Sequence, residues 1–252
     1  MKIRILYNHV GCETAMKLAN ELRKNVNEDI TAVEDVGDTR ADLLIRWGCT
    51  NPVRYEPRSV LNNKESVAKT SHKLDMLELF YNNNITVPAH TSSMDTALTL
   101  KKPLLGRRIN HTRGKDIVLC LENNDVRSSD SNFWISFIPT KYELRVYMFK
   151  GEILCVMKKE FEELDDKYRW ESEWTTRVFE TENRELLSNI KSESLRAIET
   201  LRLDFGAADV IVDDNNKVFV LEVNSAPQLW GVALNKLKSK FIEHIESVRR
   251  NG

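Results

Sequence analysis

Residues 203–227, with the sequence LDFGAADVIVDDNNKVFVLEVNSAP, constrain the fold of this chain more than any other stretch. Two apolar segments, 207–213 and 217–223, are rich in β-branched residues and flank a run of aspartates and asparagines, which is typical of a β-hairpin with a polar turn. Side chains alternate between the faces of a strand, so one face of the second segment is predicted to end in acidic and amide groups. The residues predicted to share that face are Val218, Val220, Glu222 and Asn224.

A pairing of Asp209 with Glu222 across this hairpin leaves residues 214–217 as a four-residue turn, which is a common length. Two carboxylates held about 5 Å apart at their Cβ atoms repel each other unless a cation or a shared proton lies between them. The Asn224 amide adds a further oxygen, and an all-oxygen set suits Mg²⁺ or Mn²⁺ and does not suit zinc. Spacing alone leaves a second interpretation open, in which both acids are solvent-facing residues near strand ends.

The same hairpin resembles a known family. GAADVIV followed by VLEVNSAP, within residues 206–227, is similar to the closing metal-binding hairpin of ATP-grasp ligases, and most similar to the group around the ribosomal-protein glutamate ligase RimK. The resemblance implies that Asp209, Glu222 and Asn224 hold two Mg²⁺ (or Mn²⁺) ions on the phosphates of ATP. The family usually has a glycine after the proline of this motif, whereas this chain has Gln228, so the loop beyond the metals is expected to differ.

The resemblance also implies an α+β fold of the ATP-grasp type, in which two α+β halves hold ATP between them. The N-terminal part has a strand–helix–strand–strand pattern and no glycine-rich phosphate loop, so it is predicted to be a small α/β subdomain and not a nucleotide domain in its own right. Its predicted elements are 3–7, 13–25, 30–33 and 41–47, followed by a loop at 48–64 and an amphipathic helix at 66–82. The predicted domains are residues 1–65, 66–135 and 136–252.

Composition excludes several classes of protein. The chain has 252 residues, is 41% hydrophobic and carries a formal net charge of -1, so it can bury a sizeable core and is not a disordered chain. Its 37 basic and 38 acidic side chains give no general nucleic-acid or membrane signal. Four scattered cysteines without metal-ligand spacing, and apolar runs too short for a signal peptide or a membrane span, predict a cytoplasmic protein with reduced thiols.

Two basic residues are expected to bind the phosphates. Lys73, on the predicted helix, matches a lysine that the family carries near the nucleotide phosphates, although a solvated lysine is the alternative from the residues alone. The family has a second basic residue ten positions before the apolar residue that follows a mobile loop, and counting back from Ile117 gives Arg107. Arg108 is the second choice for this role. The basic loop 111–115 is predicted to cover a polyphosphate, with a solvated turn as the alternative.

The resemblance assigns further residues to nucleotide binding. The apolar segment 133–139 stands where the family has its adenine-binding linker, so Ser136 and Phe137 are assigned by position, for their backbone groups. In the hairpin that follows, the resemblance gives Glu143 to the ribose and Arg145 to the phosphates or the acyl group.

Lys159 is assigned to the nucleotide by the same alignment. A regular hairpin with a two-residue turn at Lys150 and Gly151 would instead put Lys158 on the face of Arg145. A β-bulge would reverse that parity, so Lys159 stays the first choice and Lys158 the second.

The polar loop 165–177 is predicted to contact substrate. In the family, this loop carries an arginine and an asparagine. The resemblance assigns Arg169 to the arginine, with a catalytic role that it shares with Arg145, but no asparagine in this loop matches the second family residue. Amphipathic helices are predicted at 181–203 and 230–248.

The function implied by the resemblance is an ATP-dependent carboxylate–amine ligase. A substrate carboxylate would attack the γ-phosphoryl group of ATP, and an amine would then take the acyl group to form an amide, releasing ADP and phosphate. The acid and the amine are expected to be a small molecule, an amino acid or a peptide or protein. Two alternatives remain open: a phosphotransferase that uses the same Mg²⁺–ATP site, and a nucleotide-binding module without turnover.

Overall fold

Three β-sheets and the helices between them make up the protein, seen here in a computed structural model that describes residues 1–8, 12–34, 40–109, 117–161 and 174–250. The N-terminal sheet is parallel, with the strand order β2-β1-β3-β4. Its elements are β1 (Lys2–Tyr7), α1 (Cys12–Arg23), β2 (Asp29–Val33), β3 (Leu43–Trp47) and β4 (Ser59–Leu61). The predicted strand–helix–strand–strand pattern is therefore confirmed, while the segment predicted as a loop contains β4.

The predicted single helix over 66–82 is wrong, because it is two helices, α2 (Lys64–Ala68) and α3 (Lys73–Asn82). The hydroxyl of Thr70 donates to the carbonyl of Val67 at 2.8 Å, and His72 is extended with φ -119°. A side chain that bonds to the nearby backbone competes with continued helix, and the chain turns before the second helix begins. The break puts Lys73 at the first position of α3.

The central sheet is antiparallel, with the strand order β5-β8-β6-β7. The strands predicted before and after the basic loop and the strand that follows them are confirmed, whereas neither of the two short helices was predicted. The elements are β5 (His90–Thr91), α4 (Met94–Thr99), β6 (Leu104–Arg107), β7 (Val118–Cys120), α5 (Asn123–Ser128) and β8 (Phe133–Ser136).

The C-terminal sheet is antiparallel, with the strand order β11-β10-β9-β12-β13. Both amphipathic helices are confirmed, while part of the predicted substrate loop is an edge strand. The elements are β9 (Tyr142–Phe149), β10 (Glu152–Phe161), β11 (Trp174–Val178), α6 (Arg184–Leu201), β12 (Phe205–Val212), β13 (Val218–Asn224) and α7 (Gly231–Arg250).

The hairpin of β12 and β13 pairs Asp209 with Glu222, as predicted, but a β-bulge follows, because the next pair is Val210 with Val220. The extra residue reverses the side-chain parity, so Val220 packs into a hydrophobic core while Glu222 faces the other side. The predicted common face of the valines with Glu222 and Asn224 is therefore wrong. The turn is also one residue shorter than predicted, since the amide of Asp213 bonds the carbonyl of Lys217 at 3.0 Å and 214–216 form the loop.

One face of the C-terminal sheet changes from apolar to charged along its strands. At the apolar end it packs against the N-terminal sheet and α7, where the rings of Trp47 and Phe205 stack at 5.3 Å and Phe241 meets Phe205 edge-on at 5.1 Å. Buried Asn62 fixes this junction, since its Oδ1 accepts from the amides of Asp204 and Phe205 at 2.7 and 3.1 Å. The charged end of the same face carries the residues of the candidate functional site.

The opposite face of the C-terminal sheet packs against α6, α2 and α3 in a second large core, to which Val210, Ile198 and Phe80 belong. The packing thus crosses the predicted domain boundaries, and the division into 1–65, 66–135 and 136–252 stays a prediction. Within the described part of the chain, none of the helices has the length and apolar character needed to cross a membrane.

Candidate active site

The charged end of the C-terminal sheet collects residues from four neighbouring strands. Cross-strand pairing puts Asp209 on β12 between Arg145 on β9 and Glu222 on β13. Since Asp209 lies opposite each of them, all three side chains point to the same face. The structure therefore brings together residues that lie far apart in the sequence, through the sheet register alone.

Asp209 is at the centre of a buried ion cluster. Its two oxygens accept from Nε and Nη2 of Arg145, both at 2.7 Å, and Oδ2 also accepts from Nζ of Lys159 at 3.2 Å. Lys159 donates in turn to Glu143 at 2.7 Å. Burial by itself would raise the pKa of Asp209, but the attraction of Arg145 and then Lys159 outweighs it and holds this pKa well below its usual range.

The cations of this cluster are held in their charged forms. Burial opposes the charge on Arg145 and on Lys159, but Asp209 outweighs it for both, with help from Glu143 for Lys159, and raises the pKa of each. Three buried charges, those of Arg145, Asp209 and Lys159, and the partly buried charge of Glu143 thus alternate in sign and balance one another.

The structure places Lys159, and not Lys158, on the face of Arg145. The register of β9 and β10 shifts between Ile153 and Cys155, so the bulge that reverses the parity is present. Lys158 points to the other face, where its Nζ lies 3.7 Å from Oε1 of Glu160.

Lys73 reaches the cluster from the N-terminus of α3. Its Nζ donates to Oε2 of Glu222 at 3.2 Å, and Oε1 of Glu222 accepts from the Asn224 amide at 3.1 Å. Lys73 holds the pKa of Glu222 below its usual value, despite burial and the nearby Asp209. Burial in turn lowers the pKa of Lys73, an effect that Glu222 opposes and Arg107 reinforces.

The two candidate arginines on the central sheet differ in position. Arg107 is 9% exposed and lines the same cleft as Lys73 and Glu143, and burial lowers its pKa against the attraction of Glu222. Arg108 is on the surface and pairs with Asp130 at 2.7 Å. The geometry thus favours Arg107 over Arg108 as the residue that faces a cleft ligand.

A cleft of about 330 Å³ lies between the central and C-terminal sheets. Ser136 and Phe137 form part of its wall, but their amides already donate to the carbonyls of Ala89 and Pro103, at 2.7 and 3.1 Å. Proline has no N–H, so Pro103 cannot return the ladder bond to the carbonyl of Phe137. The carbonyl of Phe137 therefore cannot accept the ladder bond that a residue with an N–H at position 103 would donate.

Trp174 lies beside the ion cluster, although no role was predicted for this residue apart from that of its loop. Its ring is 5.1 Å from Cζ of Arg145 and 5.1 Å from Nζ of Lys159. The contact depends on the pairing of Trp174 with Phe161 across β10 and β11. No local sequence pattern sets that register, and the signal in the sequence was the presence of aromatic residues, Tyr168, Trp170 and Trp174, in an otherwise polar loop. Arg169 and the basic loop 111–115 lie outside the described residues.

The ligand atoms at this site fit a hard divalent cation. Asp209, Glu222 and Asn224 offer only oxygen donors, as Mg²⁺ and Mn²⁺ prefer, and the Glu222 side chain is 33% exposed. Within the described ranges, no group of three or more histidine, cysteine or acidic side chains is placed to hold a metal. Mg²⁺ is commonly bound by one or two carboxylates together with substrate phosphates.

The arrangement of the three sheets, with a cleft between the central and C-terminal ones, is the ATP-grasp fold. A D-alanine–D-alanine ligase from Bacillus anthracis, solved in complex with ATP, matches with a TM-score of 0.74 and 16% identity over 100% of both chains. The macrocyclase MdnC, bound to its precursor peptide MdnA from Microcystis aeruginosa, matches with a TM-score of 0.67 and 12% identity, over 96% of this chain and 100% of that one.

The ATP-grasp ligase PsnB, in complex with a precursor variant, Mg and ADP, matches with a TM-score of 0.68 and 12% identity, over 95% of this chain and 97% of that one. No protein-family model and no curated protein matches the chain. At these identities the likenesses establish the fold.

Proposed function

We propose that this protein is an ATP-dependent carboxylate–amine ligase of the RimK-like kind, which forms an amide bond through an acyl phosphate. The observation that carries the proposal is an Asp–Glu–Asn oxygen site that three basic side chains contact, next to a cleft lined by Lys73, which is one of the three, and by Arg107 as a fourth basic residue. The basic residues are Lys73, Arg107, Arg145 and Lys159, and the oxygen site consists of Asp209, Glu222 and Asn224.

ATP would lie in the cleft with its adenine against Ser136 and Phe137. Because the amides of both residues are already bonded, the carbonyl of Phe137 is the group that we expect to accept from the adenine amino group. Glu143, at the edge of the cleft, would bind the ribose, which requires it to share its bond with Lys159.

The phosphates would enter by an exchange of ionic partners. In the structure each proposed metal carboxylate is paired with a protein cation, Asp209 with Arg145 and Glu222 with Lys73. When ATP arrives with Mg²⁺ or Mn²⁺, its phosphates would attract the cations while the metals, two in number by the family resemblance, would attract the carboxylates. Charge stays balanced throughout, which avoids leaving a buried ion without a partner.

The reaction would depend on position and electrostatics, with no side-chain nucleophile. A carboxylate oxygen of the acid forms a bond to the γ-phosphorus, and the bond to the β-phosphate bridging oxygen breaks, giving ADP and an acyl phosphate. The amine then attacks the acyl carbon, phosphate leaves, and the ammonium proton is lost to water. Bound metal ions would supply Lewis-acid stabilisation of the phosphates. Arg145 would stabilise the transferring group, together with Arg169.

The names of the matching structures indicate the range of substrates that this fold accepts, from D-alanine to precursor peptides. The acid and amine of this protein are thus proposed to be an amino acid, a peptide or protein, or another small molecule. A cytoplasmic location, where ATP is abundant, is part of the proposal.

The test is to screen candidate acids with Mg²⁺–ATP and hydroxylamine, a small nucleophile that can replace the natural amine. A ligase gives ADP, phosphate and a hydroxamate. AMP and pyrophosphate among the products would contradict the mechanism. ADP with a stable phosphorylated product and no hydroxamate would favour a phosphotransferase, and failure to bind nucleotide at all would contradict both.

A further inference from the structure

Trp174 contacts two of the proposed phosphate-binding cations at once. The ring centroid lies 5.1 Å from both Cζ of Arg145 and Nζ of Lys159, within the range of a cation–π interaction, for which tryptophan is the best partner. Both side chains also donate to carboxylates, Arg145 to Asp209 and Lys159 to Asp209 and Glu143. The indole is an uncharged neighbour that the two cations share.

The difference between these two kinds of partner matters for binding an anion. A carboxylate holds a cation in place but also cancels its charge, so Asp209 and Glu143 reduce what Arg145 and Lys159 can offer to a phosphate. An aromatic face attracts a cation through its quadrupole and carries no net charge. Trp174 can thus hold both cations in position and leave their positive charge available.

The ring also limits hydration. Trp174 begins the edge strand β11, opposite Phe161 on β10, and its side chain is half-buried over cations whose own side chains are 9% and 7% exposed. A charge that is shielded from water interacts more strongly with an incoming phosphate, because the local dielectric constant is lower.

We infer that Trp174 is a positioning residue of the phosphate site, which keeps Arg145 and Lys159 oriented and shielded from water after Mg²⁺–ATP draws Asp209 away from them and the ribose shares Glu143 with Lys159. The inference rests on the proposed function, since it requires nucleotide phosphates at these cations. It assigns to β11 a role in nucleotide binding.

The decisive comparison is between Trp174→Leu, which keeps an apolar side chain but lacks a ring, and Trp174→Phe, which keeps an aromatic face. The probe is a non-hydrolysable ATP analogue with Mg²⁺, and its dissociation constant is measured by calorimetry. We expect Trp174→Leu to weaken binding by about 3- to 30-fold and Trp174→Phe to stay within about threefold of the wild type. Equal affinities of the two variants would overturn the inference.

A spectroscopic measurement separates this role from a merely structural one. Binding of the analogue is expected to bring phosphate charge beside the two cations that contact the indole, so the tryptophan fluorescence of the wild type should change, and the change should be lost in Trp174→Phe. The matched control is Trp230→Phe, because Trp230 is also under a cation, Lys17 at 4.5 Å, but is 54% exposed and away from the cluster. This control should keep both the affinity and the fluorescence change.

The outcomes also distinguish this inference from the proposed function. A wild-type protein that binds no analogue contradicts both. If the wild type binds the analogue and the fluorescence change persists in Trp174→Phe, only the role of Trp174 is contradicted.

Discussion

Arg145 binds both carboxylate oxygens of Asp209, with its Nε and Nη2 atoms each 2.7 Å from an oxygen. The two residues are cross-strand neighbours on β9 and β12, and their side chains are 9% and 6% exposed. Such a bidentate pair is strongly oriented, but it also removes two charges from water. Its consequences for stability, acid sensitivity and metal binding can each be measured.

Asp209→Asn should destabilise the fold strongly. The variant leaves Arg145, and in part Lys159, as buried cations without a full negative partner, which costs about 3–5 kcal/mol. The measurement is urea-induced unfolding. Asp130→Asn is the matched control, because Asp130 also accepts from an arginine at 2.7 Å but is 86% exposed, so its loss should cost about 1 kcal/mol or less. Equal losses for both variants would show that the Asp209 cluster is not effectively buried.

The free energy of unfolding should fall on acidification in a way that depends on Asp209. The pKa of Asp209 is lower in the folded protein than in the unfolded chain, where it is about 3.9. Its contribution is therefore complete above about pH 5 and is lost as the pH falls towards the folded-state pKa, because the unfolded chain then binds the proton more readily. Asp209→Asn should flatten the pH dependence of stability between about pH 5 and pH 2, measured by denaturant unfolding at each pH. An unchanged slope would contradict the assigned pairing.

Glu222→Gln should abolish turnover while the fold stays intact. The substitution keeps the side-chain volume and removes one proposed metal-binding charge, at a residue whose side chain is 33% exposed. We expect a loss of about 100-fold or more in the rate of ADP formation once an acid substrate is found, with an unchanged circular dichroism spectrum. Glu160→Gln, on the opposite face of β10, is the control and should keep wild-type turnover. A Glu222→Gln variant with the wild-type rate would show that the metal assignment is wrong.

Arg107→Ala should weaken nucleotide binding more than Arg108→Ala. Arg107 is buried at the cleft, whereas Arg108 pairs with Asp130 at the surface. A charged hydrogen bond to a phosphate corresponds to about 10- to 100-fold in affinity, so we expect a loss of that size for Arg107→Ala and less than about threefold for Arg108→Ala. Calorimetric titration with a non-hydrolysable ATP analogue and Mg²⁺ gives both values. The reverse order would transfer the role to Arg108.

The sequence by itself determined the longer strands and helices and one cross-strand pairing at the site, that of Asp209 with Glu222. Alternation of β-branched residues around a polar turn was enough to predict the hairpin, because a hairpin depends on a short, local stretch of backbone. Asp209 does lie opposite Glu222, but through a shorter turn and a β-bulge that the alternation did not predict. The roles of the site residues, including Arg169, which lies outside the described residues, stay predictions.

The tertiary structure decided which side of a strand each residue occupies and what it contacts. One extra residue in β13 reverses the side-chain parity of the strand, so that Val220 points into the core. A register shift in β10 places Lys159 on the same face as Arg145. A bulge is stabilised by packing on both faces of a sheet, and the sequence around it looks like regular strand. The contacts of Lys73 with Glu222 and of Trp174 with the cations join residues that are remote in sequence, and only the packing of whole elements brings them together.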